Sequence, residues 1–185
     1  MQMNDRKGTL RLGTELSEDH VLKLVAGDVV YITGRLYTMR DQAHLKALQL
    51  LRSGKDLPFD LRGGVIYHCG PLIKGDRVVS AGPTTSMRME RSEAEIIART
   101  GLRAIIGKGG MGHKTAEALV KNKAVYMEYP GGVGALAARA SGRVSRVYWR
   151  ELGDPEAVWE MPVKDFGPCF VTMDAHGCLM RAKQH

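Results

Sequence analysis

The sequence predicts an α/β protein with mixed sheets, and three observations carry that reading. Apolar runs of strand length alternate with helix-length amphipathic stretches across residues 28–150. Glycine or proline stands at most of the junctions between them and marks where elements stop. The two ends of the chain read as strands and turns, so antiparallel pairing is expected beside the parallel core.

Taken in order, residues 8–16 alternate as an edge strand does. Ser17-Glu18-Asp19-His20 opens a short helix carrying Val21, Leu22, Leu24 and Val25, and Gly27 stops it. Asp28 to Thr33 and Arg35 to Met39 read as two strands flexed at Gly34. Asp41 is a good N-cap, and Leu45, Leu48 and Leu51 recur at helical spacing until Gly54. Val65 to His68 is a strand closed by Gly70-Pro71, and Arg77 to Ala81 another, closed by Gly82-Pro83. Residues 84–91 are polar and aperiodic, which reads as a loop. Ser92 with Glu95 forms a capping box for a helix to Thr100, with Gly101 behind it. Leu102 to Ile106 is a short buried strand, residues 107–112 a glycine-rich loop and Lys114 to Lys121 the next helix. A strand at Ala124 to Tyr129, a glycine turn, a short helix at Ala135 to Ala140 and a strand at Val144 to Trp149 follow. Met161-Pro162-Val163 and Phe170 to Met173 frame a β-rich tail with a turn at Asp174-Ala175-His176-Gly177.

With 185 residues, 44% of them hydrophobic and 25% charged, the chain is long enough for one ordinary core, and a single domain over 1–185 is expected. That excludes a disordered chain and a disulfide-dependent miniprotein. No run approaches the roughly 20 apolar residues of a membrane span. Met1 to Lys7 lacks the apolar core of a signal peptide, so a cytoplasmic protein is expected. Cys69, Cys169 and Cys178 show no metal-type spacing, so they read as reduced thiols and no metal site is expected in this chain. The net charge is +7, but residues 151–185 hold 3 basic and 6 acidic side chains. The first 150 therefore hold 24 and 14, a net +10 that favours anionic partners. With no Lys/Arg run and no RNA-binding or zinc-finger pattern, nucleic acid is not the partner this charge suggests.

Position narrows the anion reading. Arg40 follows a strand and directly precedes a helix; Lys108 follows the strand ending at Ile106; Thr84, Thr85 and Arg88 follow the strand ending at Ala81. Ligands of open α/β sheets gather beyond the carboxyl ends of strands, where helix N-termini add free N–H groups. Three cations and two hydroxyls at such loops suit a small carboxylate, which Arg grips bidentately and Lys meets as a point charge. Each residue also has a plain reading as a surface, capping or turn residue, and His44 and His113 read as capping or surface residues.

Two glycine loops resemble nucleotide sites. Gly101 to Gly107-Lys108 has five intervening residues where a P-loop has four, and Gly109 stands where Ser or Thr belongs. Gly132-Val133-Gly134-Ala135-Leu136-Ala137 fits the GxGxxA pattern, with Glu151 beyond it, and makes a dinucleotide-binding protein the remote alternative. The short helix after it argues against a full βαβ unit.

Gly82-Pro83-Thr84-Thr85-Ser86-Met87-Arg88-Met89 resembles the Gly-Pro-Thr-Thr-Ser-x-Arg-Met-Asp motif of the iron–sulfur (class I) fumarate and tartrate hydro-lyases, in their C-terminal or β-subunit region. Residues 26–34, Arg40-Asp41-Gln42-Ala43-His44, Tyr67-His68-Cys69-Gly70-Pro71, Gly107-Lys108-Gly109-Gly110, Tyr129-Pro130-Gly131-Gly132 and Glu156-Ala157-Val158-Trp159 resemble the family's segments in the same order. Glu90 stands where the family usually has Asp. The resemblance implies a swivelling β/β/α fold with a parallel and an antiparallel sheet. It implies reversible hydration of fumarate to (S)-malate, or dehydration of L-tartrate or another C4 dicarboxylate. It further implies a [4Fe–4S] cluster carried by a partner α subunit, an active site shared with that subunit, and an α2β2 assembly. By the same resemblance Arg40, Arg88 and Lys108 contact substrate carboxylates and Thr84 is the proton-abstracting hydroxyl; Thr85 rests on its loop position alone. A regulator of the same fold that only binds is the non-enzymatic alternative.

Overall fold

The computed structural model describes residues 9–180, so the expectations for Met1 to Gly8 fall outside the described residues. The elements follow as β1 (Thr9–Gly13), α1 (Glu18–Leu22), β2 (Val29–Thr38), α2 (Asp41–Arg52), β3 (Val65–Tyr67), β4 (Leu72–Lys74), β5 (Arg77–Ser80), α3 (Glu90–Thr100), β6 (Ala104–Gly107), α4 (His113–Asn122), β7 (Val125–Glu128), α5 (Gly134–Ala140), β8 (Arg146–Tyr148) and β9 (Val158–Met173). Parallel strands β1-β2-β3-β6-β7 continue into antiparallel β9 and β8, so both kinds of pairing join in one seven-stranded sheet. β9 also pairs antiparallel with β2, which closes β2, β3, β6, β7 and β9 into a ring. β4 and β5 form a separate hairpin.

Alternation along the parallel strands divides two cores. Val65, Tyr67, Ala104, Ile106, Val125 and Met127 join Val30, Ile32, Leu36, Phe166 and Val171 in the cluster on the side of β2 and β9. Ile66, Ile105 and Tyr126 point the other way, against Ala43 and Ala47 of α2, Ile96 and Ile97 of α3 and Leu119 of α4. Burial on both faces is why these strands read as unbroken apolar runs. No helix among the described residues is long and apolar enough to cross a membrane.

Several elements differ from the sequence reading. β2 is one strand, not two: Gly34 sits at φ +135° in an irregular register against β9, and Thr14 Oγ1 accepts the neighbouring Arg35 N–H at 2.8 Å. β9 is one 16-residue strand, because β2 pairs along it from Glu160 to Phe170 while β8 and β7 pair with its two ends. Residues 86–89 form a 3-10 turn that runs straight into α3, which starts at Glu90. Ser92 therefore does not cap; its hydroxyl bonds back to the Met89 carbonyl at 3.0 Å, and Glu95 pairs with Arg52 and Arg99. Arg40, not Asp41, occupies the N-cap position of α2, which frees the Asp41 carboxylate for other partners.

Candidate active site

The carboxyl ends of β2, β3 and β6 carry the residues singled out above. Arg40 lies two residues beyond the end of β2, at the N-cap of α2. Thr84 is tied to the end of β3 by its N–H bond to the His68 carbonyl at 2.8 Å. Thr85 pairs backbone-to-backbone with Lys108 just beyond β6. The Ser86 N–H donates to the Lys108 carbonyl at 3.0 Å, which locks the 84–88 loop against the β6 end.

Side chains complete the rim. Arg88 Nε and Nη2 donate to the two oxygens of Asp41, each at 2.9 Å, and Nη2 also donates to Thr84 Oγ1 at 2.7 Å. Arg40 Nε lies 3.2 Å from Asp41 Oδ2 and 2.9 Å from Glu156 Oε1. The other Glu156 oxygen accepts the Gln42 N–H at 2.8 Å, so the tail closes the open N-terminus of α2. Gly70 makes room for this arrangement, since a Cβ there would stand 2.8 Å from Arg40 Nη1 and 2.7 Å from the Pro155 carbonyl. Lys108 is exposed and enters no ion pair among the described residues, and its stem lies beside Gly131. Arg40, Arg88, Thr84, Thr85 and Lys108 thus share one rim.

Along this rim the arginines are paired with carboxylates. Partial burial alone would raise the Asp41 pKa, but the Arg88 and Arg40 guanidiniums bring it from 3.8 down to about 2. Three cations face two carboxylates here, which leaves an excess positive charge for an incoming anion. Arg40 and Arg88 keep further N–H donors for a ligand.

Beneath the rim lie residues the sequence reading missed. His44, read there as a capping or surface residue, is buried and bonds through Nε2 to Glu93 Oε2 at 3.0 Å. His68 Nε2 reaches the same oxygen at 3.0 Å, and its Nδ1 meets Ser86 Oγ at 2.9 Å. A signal was present: Glu93 precedes Ile96 and Ile97 on one apolar stripe, a carboxylate where a helix buries its face. His113 is exposed beside Glu117, as expected. Glu90 accepts from the Gly112 N–H (2.8 Å), the Thr115 N–H (3.2 Å) and the Thr115 hydroxyl (2.6 Å), and so caps α4.

The family model described as "Fumarase C-terminus" matches residues 1–183. The chain belongs to that family. It is 48% identical over 168 residues to a provisionally named L(+)-tartrate dehydratase subunit beta of Methanocaldococcus jannaschii, covering 88% of this chain and 86% of that one. It is 44% identical over 170 residues to the L(+)-tartrate dehydratase subunit beta of Escherichia coli K12, covering 90% and 83%. A provisionally named class I fumarate hydratase of Geobacillus stearothermophilus is 40% identical over 179 residues, which are 94% of this chain and 34% of that protein.

Cys69 and Cys169 are buried, with burial pushing both thiol pKa values up, and Cys178 is exposed. Among the described residues no cysteine stands in a converging group of three or more potential ligand side chains. The dinucleotide alternative fails on topology: after α5 the chain enters β8, which pairs antiparallel with β9, and no βαβ crossover forms. Gly134 is small because α5 packs on the hairpin, where a Cβ would meet Ser80 Oγ at 2.4 Å.

Proposed function

We propose that this chain is the β subunit of a two-subunit hydro-lyase that adds or removes water at a C4 dicarboxylate, in an active site completed by an α subunit docked over the rim. The convergence of Arg40, Arg88 and Lys108 with Thr84 at one set of strand ends carries the reading. Dehydration of L(+)-tartrate is the leading reaction, because the relatives at 44% and 48% identity bear that name and the subunit name beta. Hydration of fumarate to (S)-malate is the second reading, supported by the relative named fumarate hydratase. The α partner is also the proposed carrier of the [4Fe–4S] cluster, in an α2β2 assembly.

In this chain the work is electrostatic. Lys108, Arg88 and Arg40 hold the substrate carboxylates, with Thr85 beside Lys108 orienting the loop. Abstraction of the C–H proton builds negative charge on the adjacent carboxylate, where fixed cations stabilise it. Thr84 is the proton acceptor. A hydroxyl is a weak base, and the Arg88 Nη2 donated to its oxygen at 2.7 Å favours the deprotonated form. The proton for the departing hydroxyl comes from the α subunit.

Co-expression with the α subunit, followed by an anaerobic assay on L(+)-tartrate, fumarate and (S)-malate, tests the proposal. Turnover by the complex and none by the isolated chain is expected. A complex inactive on every C4 dicarboxylate, or turnover by this chain alone, would overturn it.

A further inference from the structure

Glu93 Oε2 receives Nε2 of both His44 and His68. The other nitrogen of His44 lies 3.0 Å from the Arg40 carbonyl, which can only accept. Both nitrogens of His44 therefore face acceptors, and both carry protons. Ser86 Oγ already receives the Lys108 N–H at 3.0 Å and the Tyr126 hydroxyl at 2.9 Å, so its own proton goes to His68 Nδ1. That leaves His68 neutral, with its one ring proton on Nε2 toward Glu93. One anion, one cation and one neutral ring share a fully buried cluster whose charge balances. Asp41 on α2 and Tyr126 on β7 face it from the neighbouring elements, with Glu128 beyond Tyr126.

The cluster holds three pieces of the rim. His44 fixes the Arg40 carbonyl, and His68, through Ser86, fixes both the turn after Thr85 and the N–H of Lys108. Glu93 Oε1 is buried without a partner among the described residues, a cost beyond what helix packing requires. We propose that Glu93 is a positioning residue, holding an imidazolium at His44 and a neutral His68 so that Arg40, Thr84 and Lys108 keep one fixed geometry. The kinetic part of this proposal rests on the hydro-lyase reading; the protonation part does not.

Long-range proton–nitrogen spectra of the isolated chain, labelled with 15N-histidine, test it between about pH 6 and 8. The expected result is His44 protonated on both nitrogens and His68 protonated on Nε2 alone. Glu93→Gln should strip the second proton from His44 and, in the reconstituted complex, lower kcat/KM by about 10- to 100-fold with an altered pH profile. Ser86→Ala should lower kcat/KM while leaving the His44 spectrum unchanged, which serves if Glu93→Gln does not fold. A neutral His44 in the unsubstituted chain, zinc titrating stoichiometrically into both histidine signals, or a Glu93→Gln complex with unchanged kcat/KM and pH profile would each overturn it. An unsubstituted complex without activity would count against the hydro-lyase reading only, with the spectra still deciding the state of His44.

Discussion

Arg88, in the 3-10 turn before α3, and Asp41, the first residue of α2, are joined by two parallel N–H···O bonds of 2.9 Å each. That pairing fixes the plane of the guanidinium before any ligand arrives, and fixed donors give up less freedom on binding. Asp41→Asn should therefore leave the fold intact and reduce kcat/KM of the complex by about tenfold, since displacement of a positioned group by a fraction of an ångström is costly. Steady-state kinetics beside a circular dichroism spectrum would check both halves. Unchanged kinetics would mean that Arg88 needs no such support.

Loss of the cation itself should be worse. Arg88→Ala removes a bidentate carboxylate contact and the donor to Thr84, and kcat/KM should fall by a few kcal/mol of transition-state binding, about 100-fold or more. Arg88→Lys should recover little, because a point charge cannot reproduce the fork.

At Thr84 shape and chemistry are separable. Thr84→Val keeps the branched volume and removes the oxygen that accepts from Arg88. Turnover should disappear with Val and survive in part with Ser. Equal activity of the two variants would remove Thr84 from the proton transfer.

The Arg88–Asp41 pair also sets a pH limit. The Asp41 pKa is lowered to about 2 in the folded chain. Its stabilising contribution is complete above the ordinary value of 3.8 and is lost as the pH falls through about 2. His44 has the opposite sign. Burial alone would lower its pKa, but Glu93 raises it above 6.5, so its contribution is complete below 6.5 and is lost as the pH rises through the raised value. Urea midpoints measured across both limbs should fall at each end, and Asp41→Asn should flatten the acidic limb alone.

Glu90 offers a test of stability without chemistry. It closes the N-terminus of α4 with three hydrogen bonds, so Glu90→Ala should cost about 1–2 kcal/mol in urea unfolding. Glu90→Asp reaches one methylene less far and should fall between.

Much of this was legible in the chain itself. Strands such as Val65–Tyr67 and Ala104–Gly107 announce themselves because burial on both faces demands an unbroken apolar run, a property of neighbouring residues. That Arg40 and Lys108 lie close together was legible because each stands just past a parallel strand, and the ends of parallel strands meet; Thr84 and Arg88 follow β5 of the separate hairpin, and the Thr84 and Ser86 N–H bonds to the His68 and Lys108 carbonyls bring them there. What only the tertiary structure decided was pairing at a distance. That β2 and β9 are single strands closing a ring depends on partners more than a hundred residues away. That Asp41 serves Arg88 rather than its own helix, and that His44 and His68 share one Glu93 oxygen, depends on the same closure. Local sequence encodes the backbone's preference, whereas the partner of a buried charge is chosen by whichever opposite charge the fold brings within about 3 Å.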